Sequence, residues 1–219
     1  MIRALIGHAS LPPEPEILDA GCGTGANLVH FGPLGRARGV DPSAEAVEYC
    51  RRRGLEGVSQ ARLEALPFDD ASFDLLLACD VLEHIEDDDG ALRELRRVAR
   101  RDGTLLITVP AYEWMWSEHD DRHHHLRRYT LRRLRARAAG TGWRPVLATY
   151  FNSLLLPPIA GVRMIGRLRR NGASRTDYDL APRALNRALE LPMAGEARLI
   201  ARGARLPAGV SIGMLCTRA

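Results

Sequence analysis

The residues with the clearest chemical signature lie in one short stretch near the start of the chain. Ile17 and Leu18 lead into the carboxylate of Asp19, and glycines then follow at alternate positions, 21, 23 and 25. Glycine allows positive φ and lets a ligand approach the backbone without a Cβ in the way. The pattern predicts a buried strand, a tight turn and a helix whose first amides face whatever lies over the turn.

The glycine spacing also satisfies a loose dinucleotide-binding pattern, which by itself is a weak signal. Asp19 is the sharper feature, because a carboxylate at this position would repel a pyrophosphate and attract a cation. A ligand with an adenosine and an amino-acid end, charged as an ammonium or a sulfonium, suits the turn better than a dinucleotide. A bare strand-to-helix turn without a ligand is the simpler alternative.

A second carboxylate, Asp41, follows the next predicted strand, Arg36–Val40. A carboxylate at the tip of that strand can accept two hydrogen bonds from a ribose diol. Its alternative role is the N-cap of the helix that begins at Pro42 and Ser43. The two roles compete for the same side chain, and the sequence leaves both open.

A third group of reactive side chains follows the apolar run Thr104–Val109. His119 and His125 exchange protons near neutral pH, so either can serve as a base, with Asp120 orienting one of them. Histidine and carboxylate also ligate divalent metals, but the three adjacent histidines 123–125 cannot all face one point, and we expect no metal. A structural loop, with histidines that cap helices or face solvent, stays open as an alternative.

The elements that must position these residues alternate between strands and helices. We predict strands at 16–20, 36–40, 57–63, 75–79, 104–109 and 143–150, and helices after the glycine turn, after Asp41, at 88–100 and at 127–139. This alternation implies a parallel sheet with right-handed crossovers, in which ligands bind beyond the carboxyl ends of the strands. The stretch Asp80–Ile85 follows one strand directly and therefore belongs to the same edge as Asp19 and Asp41.

Composition indicates one globular α/β domain. A chain of 219 residues with 46% apolar and 26% charged residues is long enough for one such core and too short for two. Its 31 basic residues outnumber 27 acidic ones and are concentrated after Arg122, which favours an anionic substrate or surface. Because no nucleic-acid module accompanies this charge, we expect no nucleic-acid partner. Four scattered cysteines form no metal or disulfide pattern and no signal peptide is evident, so the expected compartment is the cytoplasm.

Four sequence blocks together resemble the class I S-adenosylmethionine-dependent methyltransferases, in particular their broad small-molecule group. The blocks are Leu18-Asp19-Ala20-Gly21-Cys22-Gly23-Thr24-Gly25, Gly39-Val40-Asp41-Pro42-Ser43, Leu66-Pro67-Phe68 with Ser72-Phe73-Asp74, and Val81-Leu82-Glu83-His84-Ile85. The resemblance covers residues 14–150. It implies a Rossmann-like three-layer sandwich with a seven-stranded, mostly parallel sheet whose last strand, 208–217, is antiparallel.

The resemblance also implies S-adenosylmethionine as the cofactor. Asp19 and the glycine turn would hold its methionine end, and Asp41 its ribose. The cofactor-binding residues so implied are Asp19, Gly21, Cys22, Gly23, Gly25, Asp41, Pro42, Leu63, Glu64, Ala65, Asp80 and Val81. Many relatives carry Asp where this chain has Arg62, so Glu64 or backbone carbonyls would bind the adenine amino group.

Residues 111–129 look like a pattern found in a subgroup of these enzymes, His-Asp, then His, then Arg-Arg-Tyr-Thr, and would roof the acceptor pocket. The resemblance implies His119, Asp120 and His125 as catalytic residues and Tyr112, Trp114, Trp116, His84, Arg128 and Tyr129 as substrate contacts. The chain, 1–219, would then be a single methyltransferase domain with substrate-side insertions at 111–129 and 151–206. The second insertion is expected to be a lid or packing element, with peripheral membrane contact as its alternative.

We therefore expect a methyltransferase that acts on a small or lipid-like acceptor, anionic if the arginines contact it. Oxygen is the favoured acceptor atom, because a histidine base suits a hydroxyl group, and natural-product biosynthesis is the setting that the resemblance suggests. Two other classes stay open. One is a module that binds S-adenosylmethionine without turnover, and the other is a nicotinamide-dependent oxidoreductase. The sequence leaves the oligomeric state open.

Overall fold

The strands of the sheet follow the apolar runs of the sequence. The computed structural model describes residues 1–161 and 193–218. Its strands are β1 (Glu16–Ala20), β2 (Arg36–Asp41), β3 (Val58–Gln60), β4 (Phe73–Cys79), β5 (Ala99–Pro110), β6 (Trp143–Phe151) and β7 (Ser211–Arg218). Their order across one seven-stranded sheet is β3-β2-β1-β4-β5-β7-β6. Neighbouring strands are parallel except for β7, which runs antiparallel to both β5 and β6, and this confirms the predicted fold class.

Helices cover the sheet between the strands. They are α1 (Ile2–Ile6), α2 (Ala26–Phe31), α3 (Ala44–Arg52), α4 (Asp88–Val98), α5 (Glu118–Arg122) and α6 (Leu131–Gly140). Residues 156–161 and 193–201 are also helical. Three of the helices begin at capping side chains, because Ser43, Asp87 and Thr130 each accept a hydrogen bond from an amide of the first turn.

The central strands are buried on both faces. Leu76 and Ile107 pack with Met214 on one face, while Leu75 and Leu106 belong to a second cluster on the other face. Side chains alternate between the faces of a strand, so a strand covered on both sides reads as a continuous apolar run. Because the central strands are packed on both faces, their carboxyl ends, which carry the candidate site, are held in place.

Several predicted boundaries were wrong. β5 begins at Ala99 rather than at 104, α4 ends at Val98 rather than at 100, and β7 begins at Ser211 rather than at 208. The third strand ends at Gln60 rather than at 63, and Arg62 and Ala65 instead form an isolated bridge. The basic helix begins at Leu131 rather than at 127, because Thr130 caps it and Arg128 is bound into the preceding loop.

Part of the chain lies outside these observations. Most of the insertion predicted at 151–206, including a loop expected at 171–179, lies outside the described residues. Among residues 1–161 and 193–218, no helix has the length and apolar character needed to cross a membrane.

Candidate active site

The carboxyl ends of β1, β2 and β4 bring three carboxylates to one edge of the sheet. Asp19, near the end of β1, is in register with Gly39 of β2 and with Leu77 of β4. Asp41 ends β2, and Asp80 follows β4 directly. In an open parallel sheet this is the edge at which ligands bind.

The glycine turn after β1 is held in place by its own backbone. The amides of Gly21 and Cys22 both donate to the Val40 carbonyl, at 2.8 and 2.9 Å. The Gly23 amide donates to Asp41 Oδ2 at 2.8 Å. These three amides are therefore not available to a pyrophosphate, which weakens the nicotinamide alternative.

The glycines of the turn have different surroundings. Gly21 has φ +81°, and a Cβ built on it would clash with the Val81 side chain. Gly23 has φ +50°, and a Cβ there would meet no atom within 4 Å among the described residues. The turn thus packs tightly against Val81 on one side and opens to free space at Gly23, where a ligand can approach.

Three other predicted cofactor residues support the turn or flank it. Gly25, with φ +79°, is the residue before α2. Cys22 is buried and packs with Val47 and Cys50. Pro42 is exposed, and its carbonyl accepts a hydrogen bond from the side chain of Gln60.

Asp19 is a buried carboxylate with one oxygen left unpartnered. It is 1% exposed, Asn27 Nδ2 donates to its Oδ1 at 3.2 Å, and its Oδ2 accepts no hydrogen bond from the described residues. Burial raises the pKa of Asp19 to about 6, the Asn27 bond opposes this rise, and nearby Asp41 adds to it. An unpaired buried carboxylate oxygen is costly, and a cationic ligand at the turn would remove that cost.

Asn27 is a residue of the candidate site that sequence reasoning missed. Its position in the first turn of the helix after the glycines, on the side that faces Asp19, is the signal that could have found it.

Asp41 holds the glycine turn in place by accepting hydrogen bonds, and its carboxylate can accept further ones. Its Oδ2 accepts from Gly23, as above, and its Oδ1 accepts from the Ser43 amide at 2.9 Å. The N-cap of α3 is Ser43, whose hydroxyl accepts from the Ala46 amide, so the capping role considered for Asp41 was wrong. Because a carboxylate oxygen can accept two hydrogen bonds, both oxygens can still accept from a diol.

Three further predicted cofactor residues, Leu63, Glu64 and Ala65, lie in the turn that follows β3. Leu63 is buried in the core, and Ala65 is exposed. Glu64 accepts a 2.8 Å hydrogen bond from Arg62. Glu64 therefore has a cationic partner within its own turn.

A cavity of about 450 Å³ lies beside Asp80, between the turn after β4 and the loop after β5. Its lining comprises Asp80, Glu83, His84, Pro110, His119, His123, His125, Arg128, Val210 and Ser211. Asp80 also lines a second cavity of about 480 Å³, together with Asn27 and Thr108. Burial raises the pKa of Asp80, and the nearby side chains of Thr108 and His125 oppose the rise. The two cavities thus meet at one carboxylate.

A buried ion pair holds the loop after β5. Arg128 donates through Nε and Nη2 to the two oxygens of Asp120, at 2.8 and 3.0 Å, and through Nη1 to the Ala111 carbonyl. His125 Nδ1 lies 2.8 Å from Asp120 Oδ1, and the Ser117 amide also donates to Asp120. Burial alone would raise the pKa of Asp120, but the bonds from Arg128 and His125 outweigh it and lower the pKa to about 2.

This network fixes the tautomer of His125. An ionised carboxylate only accepts hydrogen bonds, so His125 Nδ1 carries a proton and donates it to Asp120. Neutral His125 therefore carries its lone pair on Nε2, the other ring nitrogen, and His125 lines the cavity. Arg128 holds Asp120, which in turn holds the His125 ring in its orientation.

The predicted aromatic substrate contacts lie outside the lining of this cavity. Tyr112 stacks between Tyr150 and Trp114, with ring centroids 5.1 and 5.6 Å apart. Trp116 Nε1 donates to an aspartate of its own loop, Asp121. The placement expected for Tyr129 was wrong, because it is 1% exposed in the core and donates its hydroxyl to Asp88 at 2.8 Å.

Glu83 was not predicted as a site residue, yet it is the most deeply buried acid of the cavity. It is 0% exposed, and neither carboxylate oxygen has a hydrogen-bond partner among the described residues. Burial, and then the charge of Asp80, raise the pKa of Glu83 well above its usual value. The signal was its place beside His84, directly after a strand end. Burial and the nearby ring of His125, 4.8 Å away, lower the pKa of His84.

Comparisons with known proteins agree with this architecture. Residues 18–107 match the protein family described as "Methyltransferase domain". An uncharacterized methyltransferase of Bacillus subtilis, YcgJ, is 34% identical over 110 residues, 47% of this chain and 44% of YcgJ. Ajmaline N-methyltransferase of Rauvolfia serpentina is 34% identical over 121 residues, 49% of this chain and 42% of that enzyme. The matched stretches thus span less than half of the length of these curated relatives.

A solved structure has a similar fold. The crystal structure of Bacillus subtilis YcgJ superposes with a TM-score of 0.62 at 21% sequence identity. The alignment covers 100% of this chain and 99% of that one. At this identity the superposition establishes the fold alone, and the sequence match to the methyltransferase-domain family covers residues 18–107.

Proposed function

We propose that this chain, which carries a domain of the class I S-adenosylmethionine-dependent methyltransferase family, transfers a methyl group from S-adenosylmethionine to a small or lipid-like acceptor. The observation that carries the proposal is the buried, unpartnered oxygen of Asp19 beside a glycine turn whose amides are already used. This combination favours a cationic ligand over a pyrophosphate. The family match and the names of the relatives supply the reaction type.

The residues at the turn fit the cofactor. Asp19, supported by Asn27, would bind the ammonium of its methionine end, and Asp41 would accept from its ribose hydroxyls. The free space at Gly23 leaves room for it against the backbone. When bound, the cofactor supplies a methyl group made electrophilic by a positively charged sulfur.

The acceptor would lie in the 450 Å³ cavity that adjoins Asp80. Positioning the acceptor in line with the methyl group contributes most of such a rate acceleration. A hydroxyl acceptor must also lose its proton, and His119 and His125 line the cavity as candidate bases. Asp120 and Arg128 are then positioning residues that hold the His125 ring. A base in the cavity is the reason for preferring oxygen as the acceptor atom.

An anionic acceptor is not part of the proposal. Arg127 and Arg137 pair with Asp88, at 3.2 and 3.3 Å, and Arg128 pairs with Asp120. Because these arginines are compensated within the protein, they offer little net positive charge to a ligand.

Calorimetry with S-adenosylhomocysteine tests the cofactor assignment. The wild type is expected to bind it in a 1:1 complex, and Asp41→Ala is expected to weaken binding by about 1–3 kcal/mol, or roughly 5- to 150-fold. The exposed carboxylate of Glu56 precedes β3 at the opposite edge of the sheet, so Glu56→Ala is the matched control. A thermal unfolding scan of each variant separates loss of binding from loss of fold.

Two results would contradict the assignment. Unchanged affinity in folded Asp41→Ala would remove the ribose role. Tighter binding of NADH than of S-adenosylhomocysteine would replace the methyltransferase proposal by the oxidoreductase alternative.

Turnover distinguishes an enzyme from a module that only binds the cofactor. S-Adenosylhomocysteine release is expected with at least one hydroxyl compound from an acceptor panel. His119→Ala or His125→Ala should then lower the turnover number while leaving the affinity for S-adenosylhomocysteine unchanged. Full turnover in both variants would show that neither histidine is the base.

A further inference from the structure

Three side chains with metal-ligating atoms converge in the acceptor cavity. Glu83, His84 and His125 each place one such atom within 4.8 Å of the others. Two of them belong to the turn after β4, and the third to the loop after β5. Only one of the three adjacent histidines of that loop takes part, so the objection that all three cannot face one point does not apply.

Glu83 provides the observation that points to a cation. It lines the cavity at 0% exposure, and both of its oxygens lack a hydrogen-bond partner among the described residues. An ionised carboxylate is retained in such a place when a positive charge compensates it. Arg128, the nearby arginine, already donates to Asp120 and to the Ala111 carbonyl. The cavity itself is therefore the place for the compensating charge.

His125 is oriented in the way that metal-binding histidines usually are. Such a ligand donates its second ring N–H to a carboxylate or carbonyl, which fixes its tautomer and ring plane. His125 Nδ1 makes this contact with Asp120 at 2.8 Å, and Arg128 holds Asp120 in turn. The ring of His84 lies edge-on to that of His125, with ring centroids 4.8 Å apart. Because His125 donates from Nδ1, its Nε2 is kept for a further ligand.

We propose that Glu83, His84 and His125 bind one divalent transition-metal ion, of the class of Zn²⁺ or Mn²⁺, in the acceptor cavity. Two imidazoles and one carboxylate are a ligand set for such ions, whereas Mg²⁺ and Ca²⁺ prefer oxygen ligands alone. Three protein ligands leave coordination positions open toward the cavity.

The role of the ion rests on the proposed function. Its open positions would bind an oxygen of the acceptor and lower the pKa of that hydroxyl, as metal ions do for bound water. His125 Nε2 cannot hold the ion and accept a proton at the same time. In the metal-loaded protein His125 is a ligand, and His119 is the remaining candidate base.

Metal titration of tag-free, chelator-treated protein tests the site. Calorimetry with ZnCl₂ and with MnCl₂ is expected to show one site per chain for at least one of the two ions. Glu83→Gln, His84→Ala and His125→Ala should each weaken binding by roughly tenfold or more. The control is His124→Asn in the same loop, where φ is +55° and Asn tolerates this backbone conformation. The control should bind within about twofold of the wild type.

A thermal scan separates metal binding from folding. The ion should raise the unfolding temperature of the wild type and of His124→Asn, and this rise should be lost in Glu83→Gln even if that variant is itself more stable. No binding of either ion would overturn the site. Equal binding by Glu83→Gln and wild type would also overturn it, because surface histidines would then hold the metal and Glu83 would be a neutral buried acid.

The cofactor assignment is tested independently of the metal site. S-Adenosylhomocysteine affinity is measured on the same chelator-treated protein, without metal. If the ion binds and S-adenosylhomocysteine does not, the metal site stands and the proposed function fails. If the reverse holds, the cofactor assignment stands and the metal site is wrong.

Discussion

The buried carboxylates of this site differ in what compensates them. Asp120 receives a two-pronged hydrogen bond from Arg128 and a third from His125, and its pKa falls to about 2 although it is fully buried. Asp19 and Glu83 are as deeply buried, yet each keeps an unpartnered oxygen, and burial raises the pKa of both. The first carboxylate holds the loop together. The other two are the groups that a positively charged ligand would stabilise.

The raised pKa of Asp19 predicts a dependence of stability on pH. Folding raises this pKa from 3.8 to about 6, so between these values the folded protein binds more protons than the unfolded chain, and stability falls as pH rises. Asp19→Asn keeps an acceptor for Asn27 and removes the charge. The variant should gain about 1–3 kcal/mol in the free energy of unfolding at about pH 8, less at about pH 5, and lose affinity for S-adenosylhomocysteine.

Urea unfolding at the two pH values measures this difference. Asp69→Asn, which removes an exposed carboxylate, is the control and should leave both the stability and the affinity unchanged. If Asp19→Asn is no more stable than the wild type at the higher pH, the ionised carboxylate carries no burial cost in the fold.

At the scale of the element, the glycines of the turn between β1 and α2 differ in their surroundings. Gly21 combines φ +81° with close packing against Val81, whereas Gly23 combines φ +50° with open space. Gly23→Ala should therefore cost only the backbone strain of about 1–2 kcal/mol, but its methyl group would occupy the ligand space and weaken S-adenosylhomocysteine binding. Gly21→Ala adds a steric clash of about 1–3 kcal/mol to the same strain.

Urea unfolding and calorimetry on both variants test this division. The double variant Gly21→Ala/Val81→Ala removes the clash while keeping the strain, so the effects of its two substitutions on stability should not add. Equal stability losses in the two single variants, or full affinity in Gly23→Ala, would contradict the assignment.

Elements bounded by local signals were predictable from the sequence. β1 has the predicted bounds, Glu16–Ala20, because Pro15 and Gly21 delimit an apolar run. The start of α6 was mispredicted because the partner that binds Arg128 into the loop, Asp120, is joined to it by tertiary contacts and not by helical spacing. The burial of Glu83 also depends on tertiary contacts. The local sequence, a Glu beside a His after a strand, is the same whether the side chain faces solvent or the core, so burial could not be predicted from it.

At the scale of the whole molecule, residues from both ends of the described chain complete one core. β7 lies between β5 and β6, so residues 211–218 fill the gap between strands that precede them by at least 60 positions in the chain. α1 packs on the same strand, with Leu5 at 0% exposure. A Cβ built on Gly213 would lie 2.5 Å from Leu5 Cδ1, so the helix approaches the strand as closely as a glycine allows.

This contact predicts that the first helix stabilises the whole fold. Leu5→Ala should lower the free energy of unfolding by about 2–5 kcal/mol, because it leaves a cavity against β7. The exposed aliphatic Val29 is the matched control, and Val29→Ala should change stability by no more than about 0.5 kcal/mol. Gly213→Ala should destabilise the wild type by overpacking, yet cost less in the Leu5→Ala background, where the cavity accepts the added methyl group. Urea unfolding of the wild type, the two single variants and the double variant measures how far the two substitutions depend on each other. If their effects on the free energy of unfolding are additive, α1 does not pack directly against β7.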